Sequence, residues 1–133
     1  MLTTEDCLKR MVLLGYVSDR DLVVLLKNAL ALVYPSPYEE FGLPPLEAMN
    51  VGCPVITTYR TSIPEICGES VLYIDPANGH DFGGALVAME NDPELREGLR
   101  DAGQRQAAKF SCKKSTLTFP DTITRCNAAR ERQ

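Results

Sequence analysis

The sequence predicts an α/β domain: a parallel sheet of about four strands with helices packed on its faces. Three observations carry this. Short unbroken apolar runs recur at Met11–Gly15 (MVLLG), Leu30–Tyr34 (LALVY), Pro54–Thr58 (PVITT) and Val71–Ile74 (VLYI), which is the pattern of strands buried on both faces. Helix-start signals lie between them. Parallel strands also need crossover connections and helices to cover the sheet, and the alternation supplies both.

Taken in order, Met11–Gly15 reads as the first strand, ended by its glycine. Ser18-Asp-Arg-Asp21 then has the form of a helix-start box, a hydroxyl followed three residues later by a carboxylate, ahead of the apolar run LVVLL. A helix of about ten residues follows, and Leu30–Tyr34 is the second strand. Pro44 and Pro45 stand where the next helix begins, because a missing N–H costs nothing in the first turn; Leu46–Val51 continues that helix and Gly52 stops it. After the strands Pro54–Thr58 and Val71–Ile74, Asp75-Pro76 turns the chain and Asp81–Asn91 reads as a helix despite Gly83 and Gly84. Asp92 and Pro93 restart it as N-cap and first helical residue, with Leu95, Leu99, Ala102 and Gln106 on one face. Beyond Phe110 the signal fades.

A length of 133 residues allows one domain, and 44% hydrophobic with 24% charged residues is the composition of a packed globular chain. No apolar run approaches the roughly 18–20 residues that span a bilayer, and Glu5 and Asp6 stand where a signal peptide has its basic start, so a cytoplasmic location is expected. Charge divides unevenly. Residues 1–99 carry six basic and fifteen acidic side chains, residues 100–133 eight basic and three acidic. The division expected is a domain over 1–111 and a basic tail over 112–133, helical or frayed. Such a tail suits an anionic partner in principle, but with only Phe119 as an aromatic it reads as a solvated helix surface or a loose end, and no nucleic-acid partner is expected. Cys7, Cys53, Cys67, Cys112 and Cys126 form no C-x-x-C pair, and His80 is the one imidazole, so neither a zinc site nor a disulfide framework fits. Cys53 and Cys67 are expected to be small core hydrophobes.

Ligands of parallel sheets bind outside the carboxyl ends of the strands. The segment to inspect is therefore Pro35-Ser-Pro-Tyr-Glu-Glu-Phe-Gly-Leu-Pro-Pro-Leu-Glu-Ala-Met49, which leaves a strand and opens a helix. Free N–H groups at Gly42 and Leu43, with the positive end of the helix dipole, favour an anion such as a diphosphate. Glu47, placed in the first helical turn, follows Glu39 by eight residues, and carboxylates that accept from vicinal hydroxyls hold sugar rings. The alternative is that Glu47 complements its own helix dipole while Glu39 and Glu40 are solvated. Arg60 is the basic residue near the crevice, and a solvated loop charge is its simpler role. Glu65 is a helix cap or a partner of the site, His80 a surface residue at a helix start, and Tyr38 a packed loop side chain or a stacking platform.

Pro35–Met49, followed by Gly52-Cys-Pro-Val-Ile56, Ser62-Ile-Pro-Glu65 and Gly68, resembles the C-terminal donor-binding domain of the group 1 (family 4) retaining glycosyltransferases of the GT-B fold. The likeness extends to Leu14-Gly-Tyr-Val-Ser18 before it and to Asp75-Pro76 and Phe110-Ser111 after it, about residues 12–111. It implies a truncated Rossmann-like domain. It also implies that Glu39, as the catalytic carboxylate, binds hydroxyls of the donor hexose. The backbone N–H groups of Phe41, Gly42 and Leu43 would then meet the sugar and its phosphate, and Glu47 the ribose. The implied reaction moves a hexosyl group from a nucleoside diphosphate sugar to an acceptor hydroxyl with retention, with no cofactor and no metal. Two departures stand out: Glu40 where the family usually has Gly, and Cys112 where it often has Trp.

The resemblance lacks the family's acceptor domain and the early part of the donor domain, with the Arg and Lys that neutralise the diphosphate. This chain alone is thus expected to be inactive in transfer. It is either the donor half of an enzyme completed by a second chain, or a non-catalytic nucleotide-sugar-binding or assembly module descended from one. In the strand order 3-2-1-4-5-6 the strands here correspond to the third through sixth, which leaves Leu30–Tyr34 an open edge. Either Met11–Gly15 pairs with that edge or a second copy covers it, giving a homodimer.

Overall fold

The computed structural model describes residues 9–36 and 42–110. Tyr38, Glu39, Glu40, Phe41, the tail 112–133 and Cys7, Cys112 and Cys126 lie outside the described residues. In chain order the elements are α1 (Asp19–Asn28), β1 (Leu32–Tyr34), α2 (Leu43–Asn50), β2 (Val55–Thr58), α3 (Ile63–Cys67), β3 (Leu72–Ile74), α4 (Gly79–Asn91), α5 (Pro93–Ala107) and a closing 3-10 turn, Ala108–Phe110. Among the described residues the sheet is parallel and has three strands in the order β1-β2-β3. Leu32 aligns with Val55, and Ile56 with Leu72, so the central strand is paired on both sides.

Strand alternation splits the core into two layers. Val55 joins Leu26, Ala48, Met49, Ile63, Ile66 and Cys67 on the side of α1, α2 and α3, while Ile56 and Ile74 meet Met89 and Leu99 on the side of α4 and α5. The long helix α5 closes the domain across both. Its Gly103 lies so close to α2 that a Cβ there would fall 3.1 Å from Met49 Cγ. Its Arg100 Nε donates to Gly52 O at 2.9 Å, and its Gln106 Nε2 to Ile66 O at 2.8 Å, which ties the ends of α2 and α3 to one rod. Cys53 and Cys67 are buried free thiols; burial raises both, Cys67 to about 11, and neither is a nucleophile at neutral pH.

The caps are those the sequence announces. Ser18 Oγ accepts from Asp21 N–H at 3.2 Å and donates to the Asp21 carboxylate at 2.7 Å, and α1 is ten residues long. Asp92 Oδ1 accepts from Leu95 N–H at 2.9 Å, with Pro93 in the first turn of α5. Helix α4 starts two residues earlier than expected, because Asn78 rather than a later residue caps it, through His80 N–H. His80 is then an exposed first-turn residue, in keeping with its surface reading.

One strand is corrected. Met11–Gly15 is not a strand and does not pair with β1; its side chains are exposed, Leu13 to 91%. The physical reason is that an apolar run signals burial without supplying a neighbour, and a strand exists only through its ladder. Strand β1 therefore has a partner on one side only, among the described residues. Of the two expected coverings, pairing with Met11–Gly15 is absent, and strand addition by a second copy stays as an expectation. Sedimentation at micromolar concentration is expected to show a dimer, since edge pairing would give β1 a ladder on its open side. A monomer at every concentration contradicts it. No helix among the described residues is long and apolar enough to cross a membrane.

Candidate functional site

The site lies at the carboxyl end of the sheet, where each strand hands over to a loop and a helix. Strand β1 leaves through Pro35 and Ser36, and two hydroxyls of β2 fix that exit: Thr57 Oγ1 donates to Tyr34 O at 2.8 Å and Thr58 Oγ1 to Ser36 O at 2.7 Å. Both threonines are fully buried. Satisfying a buried hydroxyl on a neighbouring carbonyl locks the backbone it bonds. Sequence reading passed over these residues; the signal was two consecutive hydroxyls closing an otherwise apolar strand.

Gly42 opens α2 in the left-handed region, φ 71° and ψ 38°. Glycine is required there twice over, since a Cβ would also sit 3.1 Å from Ile63 Cδ1 of α3. Among the described residues no side chain caps α2. Pro44 and Pro45 carry no N–H, so the donors at this helix start are the backbone groups of Gly42 and Leu43, set at the positive end of the dipole.

The helix begins at Leu43, one residue before the expected start, and this moves Glu47 out of the first turn, which contains no acidic residue. Dipole complementation fades within that turn, so the helix offers no electrostatic reason for Glu47. The side chain is exposed and lines a groove of about 270 Å³ between α1 and α2, with Asp19, Leu22, Val23, Leu26, Asn50 and Val51. Glu47 thus lies four residues beyond Leu43 on α2, over a groove that neither Gly42 nor Leu43 lines. Glu39 and Phe41 lie outside the described residues.

A second cavity, about 330 Å³, opens at the ends of β2 and β3 and is lined by Tyr59, Arg60, Tyr73, Ile74, Asp75, Pro76 and Asp81. Tyr59 and Tyr73 meet edge to face, centroids 5.0 Å apart at 77°. The Tyr73 hydroxyl donates to Gly68 O, and burial pushes the phenol up to about 12, so it stays protonated as a donor. Thr61, just beyond, holds a positive φ of 51°, a strained turn beside the crevice. Arg60 is exposed and faces this cavity, and Glu65 is exposed in the first turn of α3, where its charge complements that helix. Among the described residues no group of three His, Cys, Asp or Glu side chains is placed to hold a metal.

The chain is similar to several known proteins. It is 42% identical over 103 residues to O-antigen chain mannosyltransferase B of Escherichia coli, covering 77% of this chain and 27% of that protein. It is 31% identical over 116 residues to the serotype-specific mannosyltransferase WbdA of Escherichia coli, covering 87% of this chain and 14% of that one. The chain therefore spans about a quarter or less of the length of these relatives. Among solved structures, sucrose-phosphate synthase from Thermosynechococcus elongatus superposes with a TM-score of 0.83 at 27% identity, over 91% of this chain and 31% of that one. The resemblance to part of a GT-B donor domain holds in both sequence and fold. Residues 4–106 match the model of the glycosyl transferases group 1, and the chain belongs to that family.

Proposed function

We propose that the chain is the donor-binding part of a glycosyltransferase that moves a hexosyl group, here mannosyl, from a nucleoside diphosphate sugar to an acceptor hydroxyl with retention at the anomeric carbon. The observation that carries this reading is the start of α2. At the carboxyl end of the sheet, Gly42 and Leu43 offer N–H groups that the two following prolines leave without competitors, and Glu47 stands one turn further on over a groove.

In this reading Glu39 accepts from hydroxyls of the donor hexose and Glu47 from those of the ribose. The N–H groups of Phe41, Gly42 and Leu43 meet the sugar and the phosphate. As the bond from the anomeric carbon to the phosphate oxygen breaks, charge grows on the departing diphosphate, and fixed backbone donors stabilise it without reorganising. No metal enters. The mannosyl choice is supported by the names of its relatives, which include the Escherichia coli mannosyltransferases, the MMP alpha-(1->4)-mannosyltransferase of Mycolicibacterium hassiacum and O-antigen chain mannosyltransferase RfbU of Salmonella typhimurium.

Calorimetry with UDP, GDP and ADP sugars tests it. One nucleoside diphosphate mannose is expected to bind more tightly than the matching glucose compound. Binding of none of the panel, or indifference to the sugar, contradicts the reading.

A further inference from the structure

The cavity at the ends of β2 and β3 has no part in the donor site described above, yet it is built from the residue types that hold carbohydrate. We propose that it is a second saccharide subsite, in which Tyr59 stacks on a neutral hexopyranose ring of a bound glycan while Arg60, Asp75 and Asp81 meet its hydroxyls. The inference deepens the glycosyl-transfer reading and rests on it for the identity of the glycan.

Tyr59 is the central observation. It is 70% exposed, an unusual place for a large ring, and yet it is held in position by the edge-to-face contact with Tyr73. Tyr73 is in turn fixed at its far end by the hydrogen bond to Gly68 O. An exposed aromatic ring fixed from behind loses little freedom when a ligand lands on it. Its negative π face suits the weakly positive C–H face of a pyranose.

The polar lining fits the same ligand. Asp81 spends one carboxylate oxygen on Asp75 N–H at 2.7 Å, and Asp75 spends one on Ala77 N–H at 3.0 Å. These bonds set both carboxylates rigidly on the rim, each with a second oxygen to accept from a hydroxyl. Arg60 supplies donors for hydroxyl oxygens across the cavity. Two carboxylates against one guanidinium leave the rim net negative, which disfavours a phosphate or a carboxylated sugar and selects a neutral one. The volume, about 330 Å³, is at the small end of the roughly 300–1,000 Å³ of ligand pockets.

NMR of the 15N-labelled chain, titrated with methyl α-D-mannopyranoside and, separately, with nucleoside diphosphate, tests the subsite. The mannoside is expected to shift the amides of Tyr59, Arg60, Asp75 and Asp81. Tyr59→Ala should weaken it about tenfold and Tyr59→Phe by no more than about twofold, because the ring and not the hydroxyl carries the contact. Tyr59 is exposed, so neither variant disturbs the core. Mannoside shifts confined to Gly42 and Leu43, no shifts at all, or equal binding by wild type and Tyr59→Ala overturn the subsite. The nucleotide arm separates the two claims. Nucleotide shifts at Gly42 and Leu43 without mannoside shifts at Tyr59 leave the donor reading standing and remove the subsite; the converse removes the donor reading and keeps the subsite.

Discussion

Met49→Ala is expected to destabilise the chain by about 2–5 kcal/mol, the cost of removing a buried Met side chain where neighbours cannot collapse. Met49 is 1% exposed and lies in the core cluster shared by α1, α2, α3 and β2. It also meets Gly103 of α5, where a Cβ would fall 3.1 Å from Met49 Cγ, and a rigid, closely approached backbone relaxes least into a cavity. A domain this size loses roughly 4–8 °C of melting temperature per kcal/mol, so a fall of about 10 °C or more is the readout by circular dichroism, with urea unfolding as a check. A change under about 1 kcal/mol would mean that α2 and α5 are loosely packed. The result bears on function too, because α2 carries Gly42, Leu43 and Glu47, and α5 is what holds it against the sheet.

Sequence reading succeeded where the signal is local. Ser18, Asp92 and Pro93 announce their helices by capping chemistry that needs no distant partner, and the three strands of the sheet are apolar runs whose burial is visible in the residues themselves. Where the structure depends on a neighbour, reading failed. Met11–Gly15 has the composition of β1, yet no ladder forms on it. Helix α3, five residues with Pro64 inside, is too short to show a period. The start of α2 at Gly42 and Leu43 was legible because a glycine and two prolines after a strand mark a helix start of one kind. The Glu47 position was off by one turn's edge, because the helix began at Leu43. Tyr59 and Tyr73 were not legible as a pair: Tyr59 follows β2 directly and Tyr73 lies in β3, fourteen residues on, and only the pairing of the two strands brings the rings together.

The central claim, that Glu39 meets the donor hexose and Glu47 the ribose, is tested most directly by titrating wild type, Glu39→Ala and Glu47→Ala with a nucleoside diphosphate mannose and with the free nucleoside diphosphate. A hydrogen bond to a charged group is worth roughly 1.5–3 kcal/mol, so each lost contact costs about tenfold or more in affinity. Glu47 is exposed on α2 over its groove, and its removal leaves the helix and its packing intact. Glu39→Ala is expected to weaken the sugar nucleotide about tenfold and to leave the free diphosphate unchanged, whereas Glu47→Ala is expected to weaken both alike. Superimposable curves for the three proteins, or a Glu47→Ala variant that binds the free diphosphate as wild type does, would contradict the account.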